Sequence, residues 1–157
     1  MRELTLANLI IKHCIEKNNP ISNLQLQKIL YFVQLKSINL FTYKHRILEN
    51  AVFEAWRFGP VIRIVYEEYC NNAGLKITQI SEFLKTSQTT PPDFLYPFID
   101  KSLSIKPFTL VALSHNEGGA WDKVYQEGKK NIIPDDLLIE EAKNIVKVDR
   151  DLGCNLF

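Results

Sequence analysis

The chain is short of cysteine, of net charge and of long apolar runs. Its three cysteines, Cys14, Cys70 and Cys154, form no CxxC pair and have no histidine at metal-ligand spacing, so neither a disulfide framework nor a zinc site is indicated. Free thiols suit a reducing cytoplasm, where we expect the protein to act. Nineteen basic and eighteen acidic side chains leave a formal charge of +1, which provides no overall field to attract nucleic acid or an anionic membrane.

We also expect no targeting or membrane segment. The N-terminal apolar stretch is interrupted by Asn8 and closed by Lys12, and it is too short and too polar for a signal peptide or a membrane span. What the chain does have is bulk for a core: 157 residues, 46% of them hydrophobic, with nine Phe, six Tyr and two Trp. We therefore predict a single folded domain over residues 1–157 with no membrane role.

Helical periodicity is the main secondary-structure signal. Apolar residues at helical spacing predict a helix over residues 5–17. Ser22 and Gln25 then form a capping box before a second helix over residues 23–40, whose wide apolar stripe predicts a central position. Pro60 is well suited to be the first residue of a third helix, with Gly74 as its C-terminal cap. Further helix starts are indicated at Pro91–Asp93, Pro107, the segment after Gly118 and Gly119, and Pro134.

These patterns predict a mainly α-helical fold class. We expect a compact single-domain bundle of about seven short helices, with room for a small two- or three-stranded β element. Residues 75–90 are polar and predict a long loop or an edge hairpin. Residues 48–58 and 76–83 contain β-branched and aromatic side chains, and the sequence leaves open whether they pair as strands.

Three motifs follow one another in a recognisable order: residues 24–32 (LQLQKILYF), residues 55–62 (AWRFGPVI) and residues 113–117 (LSHNE) followed by Trp121. Their succession resembles the Panacea domain, the fold shared by SocA-like antitoxins and phage-associated GepA-like proteins, over nearly the whole chain. The middle motif is the most specific of the three. The motif positions, which we expect to be structural, are Leu26, Lys28, Tyr31, Phe32, Trp56, Gly59, Pro60, Tyr66, His115 and Trp121.

The resemblance implies a compact helical domain that is often encoded beside a toxin and neutralises that toxin by direct binding. One branch of the family acts as an adaptor that delivers its toxin to an ATP-dependent protease.

Two of the motif tyrosines, Tyr31 and Tyr66, lie on the apolar sides of their helices, so we expect each to bury its ring and direct its hydroxyl to a polar partner.

A catalytic interpretation would select His115, which lies beside Ser114 and near Glu117. Groups adjacent in sequence rarely face one another in space, so we expect the ring nitrogens of His115 to pin the turn before Trp121. His13 and His45 have no evident ligand partner in the sequence. We therefore predict no catalytic residue, no cofactor and no metal ion.

The main candidates for surface contact are cationic side chains interleaved with aromatics. They could neutralise phosphates, but no helix-turn-helix pattern, glycine-rich phosphate loop or zinc spacing accompanies them. We therefore regard nucleic-acid binding as the weaker interpretation and favour contact with an acidic protein surface. His45 belongs to the same group, and the predicted partner-binding residues are Lys44, Arg46, Arg57 and Arg63.

The leading hypothesis is a non-enzymatic, antitoxin-like or phage-associated interaction module that neutralises a partner protein by binding it. That partner would be a toxin or a host factor. One alternative is a protease adaptor or a host-takeover factor that binds a cellular machine, and a second is a nucleic-acid-associated regulator. A homodimer is also compatible with the sequence.

Overall fold

The computed structural model of the chain describes residues 1–72, 74–81 and 89–157. Within these ranges the fold is mainly α-helical with one small sheet, as predicted. A short 3-10 helix over Cys70–Asn72 continues the third α-helix. The helices are α1 (Glu3–Glu16), α2 (Asn23–Leu40), α3 (Arg63–Tyr69), α4 (Leu95–Leu103), α5 (Pro107–Ser114), α6 (Ala120–Val124) and α7 (Asp135–Leu152), and the strands are β1 (Phe53–Trp56), β2 (Gly59–Val61) and β3 (Asn131–Ile133).

Helix α2 is the centre of the fold, and it begins with the predicted capping box. The Gln25 amide donates to Ser22 Oγ at 3.3 Å, and the Ser22 amide donates to Gln25 Oε1 at 3.1 Å, so two backbone N–H groups at the helix start have acceptors. Most residues of α2 are buried, including the motif residues Leu26 and Phe32. The helix contacts α1, α3, α4, α5, α7 and β2, which explains the wide apolar stripe in its sequence.

The strands form an antiparallel sheet in the order β2-β1-β3. Trp56 pairs with Gly59 across a two-residue turn, while Phe53 pairs with Ile133 on the other side of β1. The prediction that Pro60 begins a helix is wrong, because Pro60 lies in β2 opposite Ala55 and α3 begins at residue 63. Proline is tolerated there because β2 is an edge strand, whose outward N–H makes no ladder bond.

Residues 48–58 do contain a strand, but its partners are β2 and β3. Residues 76–81 form no strand, and Lys76 makes only an isolated bridge with Ser22. Residues 82 and 83 lie outside the described residues. Gly74 has a φ of +80°, yet α3 ends at Tyr69, so the expected cap lies beyond the helix it was assigned to.

The later helices begin close to the residues at which the sequence predicts helix starts. Pro107 is the first residue of α5, and α6 begins directly after Gly119. Pro134 is the N-cap of α7, whose first turn carries Asp135 and Asp136, as the helix dipole prefers. None of the helices in the described ranges is long and apolar enough to cross a membrane.

Candidate protein-binding surface

The hairpin formed by β1 and β2 is held from behind by two polar side chains of α2. Lys28 is fully buried, and its Nζ donates to the Pro60 carbonyl at 2.7 Å. Gln27 Oε1 accepts from the Ile62 amide at 2.9 Å. Burial lowers the pKa of the Lys28 ammonium well below its ordinary value. These two bonds satisfy backbone groups on and just beyond β2, so this end of the sheet is fixed to the central helix.

The third motif supports the hairpin from another direction. Trp121 is buried, and its Nε1 donates to the Trp56 carbonyl at 2.8 Å. The rings of His115 and Trp121 stack with centroids 3.6 Å apart and an interplanar angle of 4°, and Tyr125 also stacks on Trp121. The three sequence motifs therefore meet around one hairpin, which Lys28, Gln27 and Trp121 support from the protein side.

A buried carboxylate that the sequence analysis missed connects the third motif to α2 and α7. Glu141 accepts hydrogen bonds from the Tyr31 hydroxyl, from the Ala120 amide at 2.8 Å and from Asn116 Nδ2 at 2.9 Å. Burial raises the pKa of Glu141, while these donors oppose the rise. Its signal in the sequence is its place three residues after Leu138 on the apolar face of α7.

The residues that resembled a catalytic group, Ser114, His115 and Glu117, have different surroundings in the structure. Ser114 Oγ donates to the Val111 carbonyl at 2.8 Å, and Glu117 is exposed. His115 Nε2 is buried without a hydrogen-bond partner among the described residues. The expectation that the ring nitrogens of His115 pin the turn is therefore corrected, because the ring holds its place by stacking on Trp121.

His13 has a partner that its sequence context did not reveal. Its Nε2 lies 2.7 Å from Asp100 Oδ1, and its ring stacks on Tyr96 with centroids 4.5 Å apart. This arrangement links α1 to α4 through a partly buried contact. His45 is exposed. Within the described ranges no group of three His, Cys, Asp or Glu side chains is placed to hold a metal ion.

Aromatic side chains of the hairpin, α3 and α5 meet on the outer side of the hairpin. Phe58 is 49% exposed and Phe108 is 67% exposed, and their rings meet edge to face at 6.4 Å. Trp56 is half-buried and lies against Tyr66 at 4.7 Å. The expectation that Tyr66 buries its ring is wrong, because this ring lies at the surface. We call Trp56, Arg57, Phe58, Tyr66 and Phe108 the hairpin surface.

A groove of about 440 Å³, which we call the first groove, opens on the hairpin surface. It lies between the hairpin, the start of α2 and the end of α3. Leu24 and Val61 contribute aliphatic walls, and Trp56, Phe58 and Tyr66 contribute aromatic ones. Most of the wall is therefore apolar.

The four predicted partner-binding residues lie in two places. Arg57 is exposed on the hairpin surface, with its guanidinium 5.5 Å from the centre of the Phe58 ring. Arg63 lies nearby but is engaged with Glu54, to which it donates two hydrogen bonds at 2.9 and 2.7 Å.

Arg46 and Lys44 lie away from the hairpin surface. Arg46 donates to Asp135 at 2.8 Å. Asp135 follows the end of β3, and that end of β3 pairs with the start of β1. Lys44 is exposed on the loop after α2. The structure therefore brings together only Arg57 and Arg63, and of these only Arg57 is without a carboxylate partner within the described ranges.

Lys129 and Lys130, which are not among the predicted partner-binding residues, add positive charge near the hairpin. Lys130 Nζ lies 4.0 Å from the centre of the Trp56 ring, a cation–π contact. A second groove of about 400 Å³ lies between Trp56 and the segment before β3. It is lined by Lys129 and Lys130 together with Arg57, Tyr125 and Glu127. The signal available in the sequence was the adjacent pair Lys129 and Lys130, which is far from the hairpin along the chain.

The stacked imidazole of His115 is expected to make the stability of the fold depend on pH. Burial lowers the pKa of His115 below its ordinary 6.5, and the nearby Lys28 lowers it further while Asp122 acts in the opposite sense. The unfolded chain therefore binds this proton more readily, so stability is lost as the pH falls through about 6.5 toward the lowered pKa. We expect urea denaturation of His115→Phe, which keeps the stack but cannot titrate, to show a smaller loss between about pH 7.5 and 5.5 than the parent chain.

The matched control is His45→Gln, which replaces an exposed histidine. This variant is expected to lose as much stability as the parent over the same pH interval. An equal loss in His115→Phe and the parent chain would contradict the assignment to His115.

Comparison with known proteins agrees with the resemblance seen in the motifs. The family model for antitoxin SocA-like proteins with a Panacea domain matches residues 26–122, a range that runs from α2 into α6 and includes the hairpin. The antitoxin SocA of Caulobacter vibrioides (strain NA1000 / CB15N) is 35% identical over 130 residues, covering 75% of this chain and 67% of that protein. No solved structure matches at a significant level. This chain belongs to the family of SocA-like antitoxins that share the Panacea domain.

Proposed function

We propose that this protein is an antitoxin that neutralises a toxin protein by binding it directly, without catalysis, through the hairpin surface. The observation that carries the proposal is the contrast between the two sides of one hairpin. Its inner side is fixed by Lys28, Gln27 and Trp121, while its outer side presents aromatic rings and a cation. A rigid element that exposes large apolar side chains loses little conformational entropy on binding.

The side chains of the hairpin surface are of the kind that dominate protein interfaces. Tryptophan, tyrosine and arginine are enriched among residues that carry most of the binding energy, and Trp56, Tyr66 and Arg57 lie together here. Exposed apolar patches on a single chain commonly mark contact sites. Family membership supports a toxin as the partner.

Co-expression with the product of the adjacent gene tests this function. We expect that product alone to stop growth, growth to recover when this protein is also made, and the two proteins to co-purify. If the neighbour is harmless, or if growth recovers without a complex, direct neutralisation is the wrong function. Following toxin abundance in the same cells separates masking, in which the toxin persists, from delivery to a protease, in which the toxin disappears.

A variant of the hairpin surface tests where the toxin binds. The double substitution Phe58→Ala and Phe108→Ala removes two exposed rings that meet edge to face at the surface, so folding stability should change by less than about 1 kcal/mol. Toxin affinity should fall by about tenfold or more, because each ring would be an anchor at the interface.

Calorimetric titration of the purified complex measures the effect. Leu152→Ala is the matched control, because it removes another exposed apolar side chain at the C-terminal end of α7 and should leave affinity unchanged. Equal affinities for the double variant and the control would place the interface elsewhere.

A further inference from the structure

We propose that the hairpin surface recognises an acidic segment of its partner, in which an apolar side chain lies next to two or more carboxylates. The apolar side chain would enter the first groove, beside Tyr66, and the carboxylates would meet the cations of the second groove. This inference rests on the proposed function and adds the chemistry of the toxin segment. Trp56 and Arg57 line both grooves, so one extended segment can occupy the two together.

The first groove suits an apolar side chain. Its walls combine Leu24 and Val61 with four aromatic rings, and Arg57 is the sole lysine, arginine or carboxylate that lines it within the described ranges. Pockets that bind a partner are mostly apolar, with a few polar groups that fix orientation. A leucine or phenylalanine side chain would bury its surface against these walls.

The charges of the second groove favour carboxylates. Arg57, Lys129 and Lys130 are exposed, and within the described ranges none of them forms an ion pair with a carboxylate. Glu127 is the acid that lines the same groove, so the cations outnumber the anions. Arg63 does not add to these cations, because its guanidinium is paired with the Glu54 carboxylate. Charge complementarity of this kind speeds encounter and excludes wrong partners.

An acidic protein segment fits this arrangement better than a nucleic acid does. Sequence-tolerant binding of a single strand needs a row of cations that follows the phosphates beside the stacking rings. Here the cations are grouped at one end, and the apolar groove carries only Arg57. The net charge of +1 provides little long-range attraction for a phosphate backbone.

Fluorescence anisotropy with four labelled probes tests the proposal. The first is an acidic peptide of about twelve residues, made of Glu and Ser with two central Phe. The second has Lys in place of Glu, the third has Ser in place of Phe, and the fourth is an oligothymidylate of similar length. We expect the first peptide to bind at least about tenfold more tightly than each of the others. Failure of the first peptide to bind, or equal or tighter binding of any other probe, overturns the proposal.

Charge reversal then locates the contact. Arg57→Glu and Lys129→Glu should each weaken binding of the acidic peptide by about tenfold or more, while Lys12→Glu, the same change at an exposed position of α1, should not. Equal affinity for all three variants would overturn the proposal.

The same variants in the growth assay separate this inference from the proposed function. If the parent chain neutralises its toxin but Arg57→Glu neutralises it equally well, the acidic-segment inference fails and the antitoxin function stands. If the parent chain neutralises nothing, the antitoxin function fails, and binding of the acidic peptide is judged from the probes alone.

Discussion

Glu141→Ala is expected to lower the free energy of unfolding by about 3–5 kcal/mol, the largest effect of any single substitution considered. The carboxylate accepts from Tyr31, Asn116 and the Ala120 amide, and the alanine variant would leave these donors without an acceptor. The Tyr31 hydroxyl is completely enclosed, so water cannot replace the lost bond without opening the core. Urea denaturation followed by circular dichroism measures the change.

The neighbouring residue Glu140 provides the control. It is exposed and pairs with Lys123 at 2.7 Å, so Glu140→Ala should cost less than about 1 kcal/mol. Glu141→Gln should lie between the two, since its amide keeps one acceptor oxygen but brings an NH₂ group toward the donors. Similar losses for Glu140→Ala and Glu141→Ala would show that the hydrogen bonds to Glu141 do not hold the fold together.

Gly59→Ala is expected to lower the free energy of unfolding by about 2–4 kcal/mol, for two reasons that add. Gly59 has a φ of +102°, a conformation that strains a residue with a Cβ atom. A Cβ atom there would lie 2.5 Å from Ser114 Oγ and 2.6 Å from Lys28 Nζ, and both side chains are buried. Either these buried side chains or the hairpin must therefore shift.

Gly128→Ala separates the two causes. Gly128 has a similar positive φ of +75°, but a Cβ atom at this position would meet nothing within 4 Å, so only backbone strain of about 1 kcal/mol is expected. Denaturation measures both variants, and binding of the toxin provides a second measurement. A cost for Gly59→Ala no larger than that of Gly128→Ala would contradict close packing behind the hairpin.

The local features of the fold could be predicted from the sequence because local contacts decide them. The capping box at Ser22 and Gln25 fixed the start of α2, and its range agrees with the prediction. Pro107 and Pro134 marked the starts of α5 and α7 in the same way. Pro60 was misassigned because the same residue type also fits an edge strand, and the choice depends on β1 and on Lys28, which lies far away along the chain.

The sequence by itself determined the helical fold class, the central role of α2 and, through three ordered motifs, membership of the Panacea family. Only the tertiary structure decided which cations remain available to a partner. Glu54 engages Arg63 and Asp135 engages Arg46, while Lys129 and Lys130 join Trp56 at the hairpin. The physical reason is that periodicity and capping report contacts within a few residues. A salt bridge or a buried carboxylate such as Glu141 depends on groups that meet only after the helices have packed.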